Sequence, residues 1–154
     1  MNDVNVNDMD FKRALWRLAF EVHGASAGPS DDGVADVGEH ALEVALAALH
    51  PRRDKGWADA VIDSIKHRAG LLLERSQGVY AFPHRTFQEY LAGAHLSTLG
   101  DFGRAAAGHT RELDRWREVV LLAVGRLVHV AGDTGRALPR VVVHLDVRAR
   151  PELR

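Results

Sequence analysis

The chain has 154 residues, 46% of them hydrophobic and 27% charged, with a net charge of −1 from 20 basic and 21 acidic side chains. That length holds one domain or two small helical subdomains, and the balanced charge does not build the positive field of a nucleic-acid binder. With no cysteine in the chain, disulfides, thiolate metal sites and cysteine nucleophiles are excluded.

Residues 1–9 are polar, are expected to be frayed, and lack the basic start and apolar stretch of a signal peptide. Asp10 stands where it can cap a helix whose Phe11, Leu15, Leu18, Ala19 and Val22 recur at helical spacing, with Gly24 as its stop. Residues 25–35, rich in Ser, Gly, Pro and Asp, read as an exposed loop. Asp36 followed by Glu39 resembles a second cap, opening a helix through Leu42, Ala45, Leu46 and Leu49 that Pro51 ends. A third helix is expected over 57–69, with Val61, Ile62 and Ile65 inward and Gly70 as its left-handed terminator. Leu71-Leu72-Leu73 and Val79-Tyr80-Ala81-Phe82 flank Ser76-Gln77-Gly78 and predict a β-hairpin. Three helices followed by a hairpin is the order of a winged helix.

A fourth helix is expected over 86–99. Thr86 and Glu89 stand at the Ser/Thr-x-x-Glu spacing of a capping box, and His84 lies two residues ahead. The free N–H groups and positive dipole end of such a helix favour an anion such as phosphate, and a histidine adds a donor at the same spot. The competing reading makes Phe82 and Phe87 core residues and His84 a turn residue; Phe82, Phe87, Tyr90 and Leu91 are expected to be largely buried and to join the hairpin to this helix. A Gly/Ala-rich connector is expected over 100–109. It leads into an amphipathic helix over 111–130 with Leu113, Trp116, Val120, Ala123, Val124 and Leu127 on one face. In the tail, Val141 to Leu145 favour a strand, while Pro139 equally opens a helix. The expected fold is mainly α: a winged-helix-like domain over 10–99 and a helical extension over 100–154. The longest apolar run, 119–130, is broken by Gly125, Arg126 and His129 and falls short of the roughly 18 residues that span a bilayer. A cytoplasmic location is the expectation.

Few residues promise chemistry. None of the three lysines (Lys12, Lys55 and Lys66) is preceded by glycine, so the chain holds no Gly-x-x-x-x-Gly-Lys-Ser/Thr phosphate cradle. A Walker B strand ending in acidic residues is missing too. Neighbouring histidines are never closer than ten residues, which leaves no helical His-x-x-x-His pair for a metal. Serine nucleophile catalysis is not expected. Asp54, Asp59, Asp63 and Glu74 read as solvated surface charges rather than an acid–base pair. Over 56–67, Asp59 and Asp63 stand against Lys66 and His67, which opposes DNA, because a recognition helix needs several Arg, Lys, Asn or Gln facing the groove. Trp16, Trp57 and Trp116 read as core anchors.

The pattern Phe82-x-His84-x-Thr86-Phe87-Gln88-Glu89-Tyr90-x-Ala92 resembles the signature of the winged-helix region following the nucleotide-binding core of NACHT-type STAND NTPases. The animal NLR receptors and many bacterial defence proteins belong to that group. Arg68-Ala-Gly-Leu-Leu-Leu-Glu-Arg75 with Gly78-Val-Tyr-Ala-Phe82 resembles the wing, and Trp116-Arg-Glu-Val-Val-Leu-Leu-Ala-Val-Gly125 resembles the helix that follows in bacterial members. The resemblance spans 57–127, with Pro83 and Gly93 as variations.

It implies a regulatory, non-catalytic module, read as a piece or a stand-alone remnant of a larger ATPase. The winged helix closes over bound ADP, with His84 touching the β-phosphate and Phe82, Thr86, Phe87, Gln88, Glu89 and Tyr90 as supporting motif. ADP or ATP belongs to the parent protein and no cofactor to this chain. The implied partner is a P-loop core domain in the same or a neighbouring chain. The resemblance also implies homo-oligomerisation on activation and a role in bacterial defence or signal transduction, while the apolar runs argue against a membrane and the charge balance against nucleic acid as partners. Two alternatives stay open: a DNA-binding winged helix, and a protein-interaction module without nucleotide contact.

Overall fold

The computed structural model describes residues 8–25, 34–47, 52, 54–67 and 70–130. The expectations for residues 1–7, for most of the loop over 25–35, for Leu49 and Pro51, and for the tail over 132–154 lie outside the described residues. Those described form six α-helices and one three-stranded sheet: α1 Asp8–Ala25, β1 Asp36–Gly38, α2 Glu39–Ala47, α3 Lys55–His67, β2 Leu73–Ser76, β3 Val79–Ala81, α4 Arg85–Thr98, α5 Phe102–His109 and α6 Leu113–His129. A single 3-10 turn, Thr110–Glu112, precedes α6. The chain divides into two compact units, Met1–Ala92 and Gly93–Arg154.

In the first unit the apolar stripes decide the packing. Phe11, Ala14, Leu15, Leu18 and Ala19 of α1 are buried, and so are Leu42, Ala45 and Leu46 of α2. Helix α1 begins at Asp8, so Asp10 lies inside its first turn and is not the cap. Asp54 caps α3, where its Oδ1 accepts the Gly56 N–H at 2.9 Å and its carbonyl accepts the Ala58 N–H at 3.2 Å. Behind this cap Trp57 and Ala58 are buried together with the expected Val61, Ile62 and Ile65.

The sheet corrects the reading of Asp36. That residue opens strand β1 and caps nothing; α2 starts afterwards at Glu39. The sheet order is β1-β3-β2, all antiparallel, with Val37 opposite Tyr80 and Gly38 opposite Val79. The physical reason is that β3 is central. Paired only with β2, it would leave its other edge of N–H and C=O groups without ladder partners. Val37 is buried between two exposed neighbours, an alternation three residues long and too short to stand out in the sequence. The ladder runs on into α2, whose first N–H, that of Glu39, donates to the Gly78 carbonyl at 2.8 Å.

The hairpin between β2 and β3 turns on Gln77 and Gly78, and Gly78 adopts φ of +72°, a region open to glycine at little cost. Arg75 is the extra residue of a bulge between Glu74 and Ser76. All four residues of β2 are exposed, as befits a wing.

In the second unit, residues 100–109 are not a plain connector. Helix α5 fills most of that stretch, with Phe102 and Ala106 buried. The high helix propensity of Ala105, Ala106 and Ala107 outweighs the cost of Gly103 and Gly108. The Asp101 carbonyl accepts the Ala105 N–H at 3.0 Å. The buried face of α6 is Trp116, Val119, Val120 and Ala123, while the expected Leu113, Val124 and Leu127 are only half-buried. The His109 ring stacks on Trp116 with centroids 3.8 Å apart and planes inclined by 25°. At Gly93 the second half of α4 meets α6 closely: a Cβ there would lie 3.0 Å from the Val119 carbonyl oxygen and 3.1 Å from the Leu122 Cβ.

Two stability predictions follow from this packing. Phe82 is 1% exposed and Phe87 half-buried, so Phe82→Ala should cost about 3–5 kcal/mol and Phe87→Ala less, measured by urea unfolding. Gly93→Ala gains about 1 kcal/mol in helix propensity but forces a methyl against a backbone oxygen, an overpacking cost of about 1–3 kcal/mol. A lowered melting temperature is expected for this variant despite its better helix former.

Candidate functional site at the start of helix α4

The loop leaving β3 buries Phe82 and releases the chain at His84. The His84 carbonyl accepts the N–H groups of Phe87 and Gln88, both at 3.1 Å. The second of these is the first i→i−4 bond of α4, which makes His84 itself the cap residue. Arg85 and Thr86 therefore supply the helix's first N–H groups, which have no carbonyl four residues back to receive them. His84, Arg85 and Thr86 are all exposed. An imidazole and two backbone N–H groups thus open α4 on the surface.

The capping box is not formed. Thr86 lies inside the first turn, and Glu89 Oε1 accepts from Arg85 Nε at 2.8 Å. The Glu89 side chain is 7% exposed and that of Arg85 44%. A nearly buried carboxylate is better served by a charged guanidinium four residues back than by a neutral backbone amide. The Thr86–Glu89 spacing marks a helix N-terminus, while the Glu89 carboxylate takes Arg85 as its partner.

Tyr90 needs a further correction. It is 48% exposed and not part of the core, whereas Phe82 and Leu91 are buried as expected. Thr86 and Tyr90, four residues apart, share the outer face of α4, while Gln88, Glu89, Leu91 and Ala92 turn inward. Phe87 sits between, half-buried, with its ring edge-on to Phe82 at 6.2 Å and 66°.

Gln88 has a role that the motif alone did not assign. Its side chain is 1% exposed, and its Oε1 accepts the Ala35 N–H at 3.3 Å. Its Nε2 lies 3.1 Å from Nδ1 of His23, itself 3% exposed in the last turn of α1. One amide thereby ties α4 to the residue before β1 and to α1. Sequence reasoning passed over His23, yet a signal was present. Residues 15, 18, 19, 22 and 23 fall at i, i+3, i+4, i+7 and i+8, so His23 lies on the apolar stripe that starts at Leu15.

The remaining candidates do not gather into a site. Asp54 is the cap of α3, and Asp59, Asp63 and Glu74 are exposed. Among the described residues no group of three His, Asp or Glu side chains is disposed to hold a metal. The spelling Gly-x-Ser-x-Gly occurs at 24–28, which bears on the expectation that serine nucleophile catalysis is absent. A nucleophile elbow needs a strand before that serine and a helix after it, and here helix α1 precedes it. Ser26 itself lies outside the described residues. On α3 the exposed charged side chains described are Lys55, Asp59 and Asp63, a poor face for phosphate or base edges. No helix among the described residues is long and apolar enough to cross a membrane.

Helix, strand, two helices and a hairpin, with the first strand completing the sheet beside the hairpin's second, define a winged-helix domain. Residues 36–96 match the family of winged helix-turn-helix domains C-terminal to NACHT, so this chain carries a NACHT-associated winged-helix region, and it does so without a P-loop core. The match takes in all three strands, α2, α3 and most of α4, including His84. No curated relative and no solved structure matches the chain.

The Arg85–Glu89 pair can be tested directly. Arg85→Ala strands a nearly buried carboxylate and should cost about 1–3 kcal/mol, whereas adding Glu89→Gln to that variant should restore part of the loss. Chemical denaturation of the two variants and wild type measures both.

Proposed function

We propose that the winged-helix region is the regulatory lid of a NACHT-type NTPase, with the start of α4 closing over ADP bound by a separate P-loop core. The observation that carries this reading is the exposed His84 at the cap of α4, inside a segment that matches winged-helix domains C-terminal to NACHT. The Arg85 and Thr86 N–H groups and the positive end of the helix dipole suit a phosphate, and the His84 imidazole adds a donor to the same face.

The regulatory logic needs little energy. A ligand shifts a two-state equilibrium only by its difference in affinity for the two states, and couplings of about 1–3 kcal/mol are usual for regulated proteins. One charge-assisted hydrogen bond from His84 to a phosphate lies in that range. ADP then holds the closed, inactive form, and loss of the contact releases the winged helix and permits self-association of the parent protein, in signalling or defence. No residue of the chain is assigned a chemical step. Within this reading the chain is a sensor of the nucleotide and not its hydrolase. Helix α3 offers no basic surplus to a DNA groove, since exposed Asp59 and Asp63 stand beside Lys55, which favours this reading over DNA binding.

The test uses a protein in which this chain is joined to its P-loop core. His84→Ala should speed ADP release and raise basal activity, by about 5–150-fold for a coupling of ordinary size. The same substitution in the present chain should leave its melting temperature within a degree or two, because His84 is exposed. The chain by itself should show no sub-micromolar ATP affinity by titration calorimetry. Unchanged ADP release in the His84→Ala protein would overturn the proposed contact.

A further inference from the structure

We infer that His23 is a positioning residue for the start of α4: a buried acceptor on α1 that holds the Gln88 amide, and through it the turn that carries His84. The Ala35 N–H is a backbone donor with no freedom to become an acceptor, so the Gln88 atom facing it at 3.3 Å is the carbonyl oxygen, Oε1. Turning the amide over would set an NH2 against that N–H. The orientation of Gln88 is therefore fixed by its neighbour, and its Nε2 is the atom 3.1 Å from His23 Nδ1. An amide nitrogen only donates, so Nδ1 accepts. His23 must be the neutral imidazole with its proton on Nε2.

Three consequences tie this to the site. First, His23 and Gln88 are 3% and 1% exposed, so neither has water as an alternative partner, and losing either leaves a buried polar group without its bond. Second, Gln88 is the residue whose backbone N–H makes the first i→i−4 bond of α4, to the His84 carbonyl. Its side chain and its main chain thus anchor opposite ends of one short span: α1 and Ala35 on one side, the His84 turn on the other. Third, the tie crosses 65 residues of sequence to His23 and 53 to Ala35, so it fixes the direction in which α4 leaves the sheet. Local capping alone does not do this. The inference about geometry stands on these contacts; only its last step, an effect on nucleotide, rests on the proposed phosphate contact of His84.

The test is run on the full 154-residue chain, with His23→Leu, which fills the space without an acceptor, and His23→Asn, which keeps an acceptor near the position of Nδ1. Amide hydrogen exchange of Ala35, Phe87 and Gln88 is compared with that of Val61 and Ile62 in α3 as the internal reference. His23→Leu should speed exchange of the first three at least tenfold more than the reference, and His23→Asn should recover most of that difference. A nitrogen-15 spectrum of the imidazole supplies an independent signature. In wild type Nδ1 should be unprotonated. In Gln88→Glu, whose carboxylate has no donor to offer, the ring should carry its proton on Nδ1 instead. A protonated Nδ1 in wild type, or parallel changes at all five amides in His23→Leu, would sink the inference. In the protein joined to its core, His23→Leu should also speed ADP release. If His84→Ala leaves ADP release unchanged while the exchange and tautomer results hold, the phosphate contact fails and the positioning role of His23 stands.

Discussion

The buried side chain of Gln88 is the constraint on which the first unit's geometry turns. A primary amide has a donor end and an acceptor end, and burial makes both obligatory. Here the acceptor is claimed by the Ala35 N–H and the donor by His23 Nδ1, so helix α4, the approach to β1 and the end of α1 are held in one mutual arrangement. An apolar residue at position 88 would pack against the same neighbours with less directional demand. The polar choice gives up some burial energy and returns a specified helix direction.

A second constraint comes from the sheet. Strand β3 is central, and the ladder from β1 continues through the Glu39 N–H onto Gly78. The hairpin turn is thereby fastened to the start of α2 as well as to its own strands. Phe82 follows β3 directly and is buried, so the chain reaches His84 from a fixed point. Between Phe82 on one side and Gln88 on the other, the five intervening residues have little freedom. The exposed imidazole is thus carried by a backbone that is pinned at both ends, which is what a contact worth one hydrogen bond requires.

The same local chemistry divides the first turn of α4 into an inward ion pair and an exposed start. Arg85, the cation nearest the helix start, gives its Nε to Glu89, a carboxylate turned inward. This pair stabilises the first turn across one helical repeat while keeping a negative charge off the outer surface. His84 and the first two N–H groups remain on that surface. A winged-helix region built this way fits regulation by differential contact, where the energy at stake is small and the geometry must be reproducible.

What the sequence determined by itself is the part written in local spacing. The stripes of α1, α2 and α3 were legible because burial on a helix repeats at 3–4 residues, and the hairpin because Gly78 alone among its neighbours accepts a positive φ. The start of α4 just after His84 was legible for the same reason, since a helix start is a local signal. The tertiary structure decided the rest. Strand β1 exists because β3 offers an open edge, which no property of Asp36-Val37-Gly38 announces. Glu89 chose Arg85 over the cap, and Tyr90 turned outward, because Gln88, Leu91 and Ala92 took the inner face. His23 and Gln88 meet across 65 residues, and hydrogen bonds of that kind depend on where folded elements bring two atoms, a distance that sequence spacing does not contain.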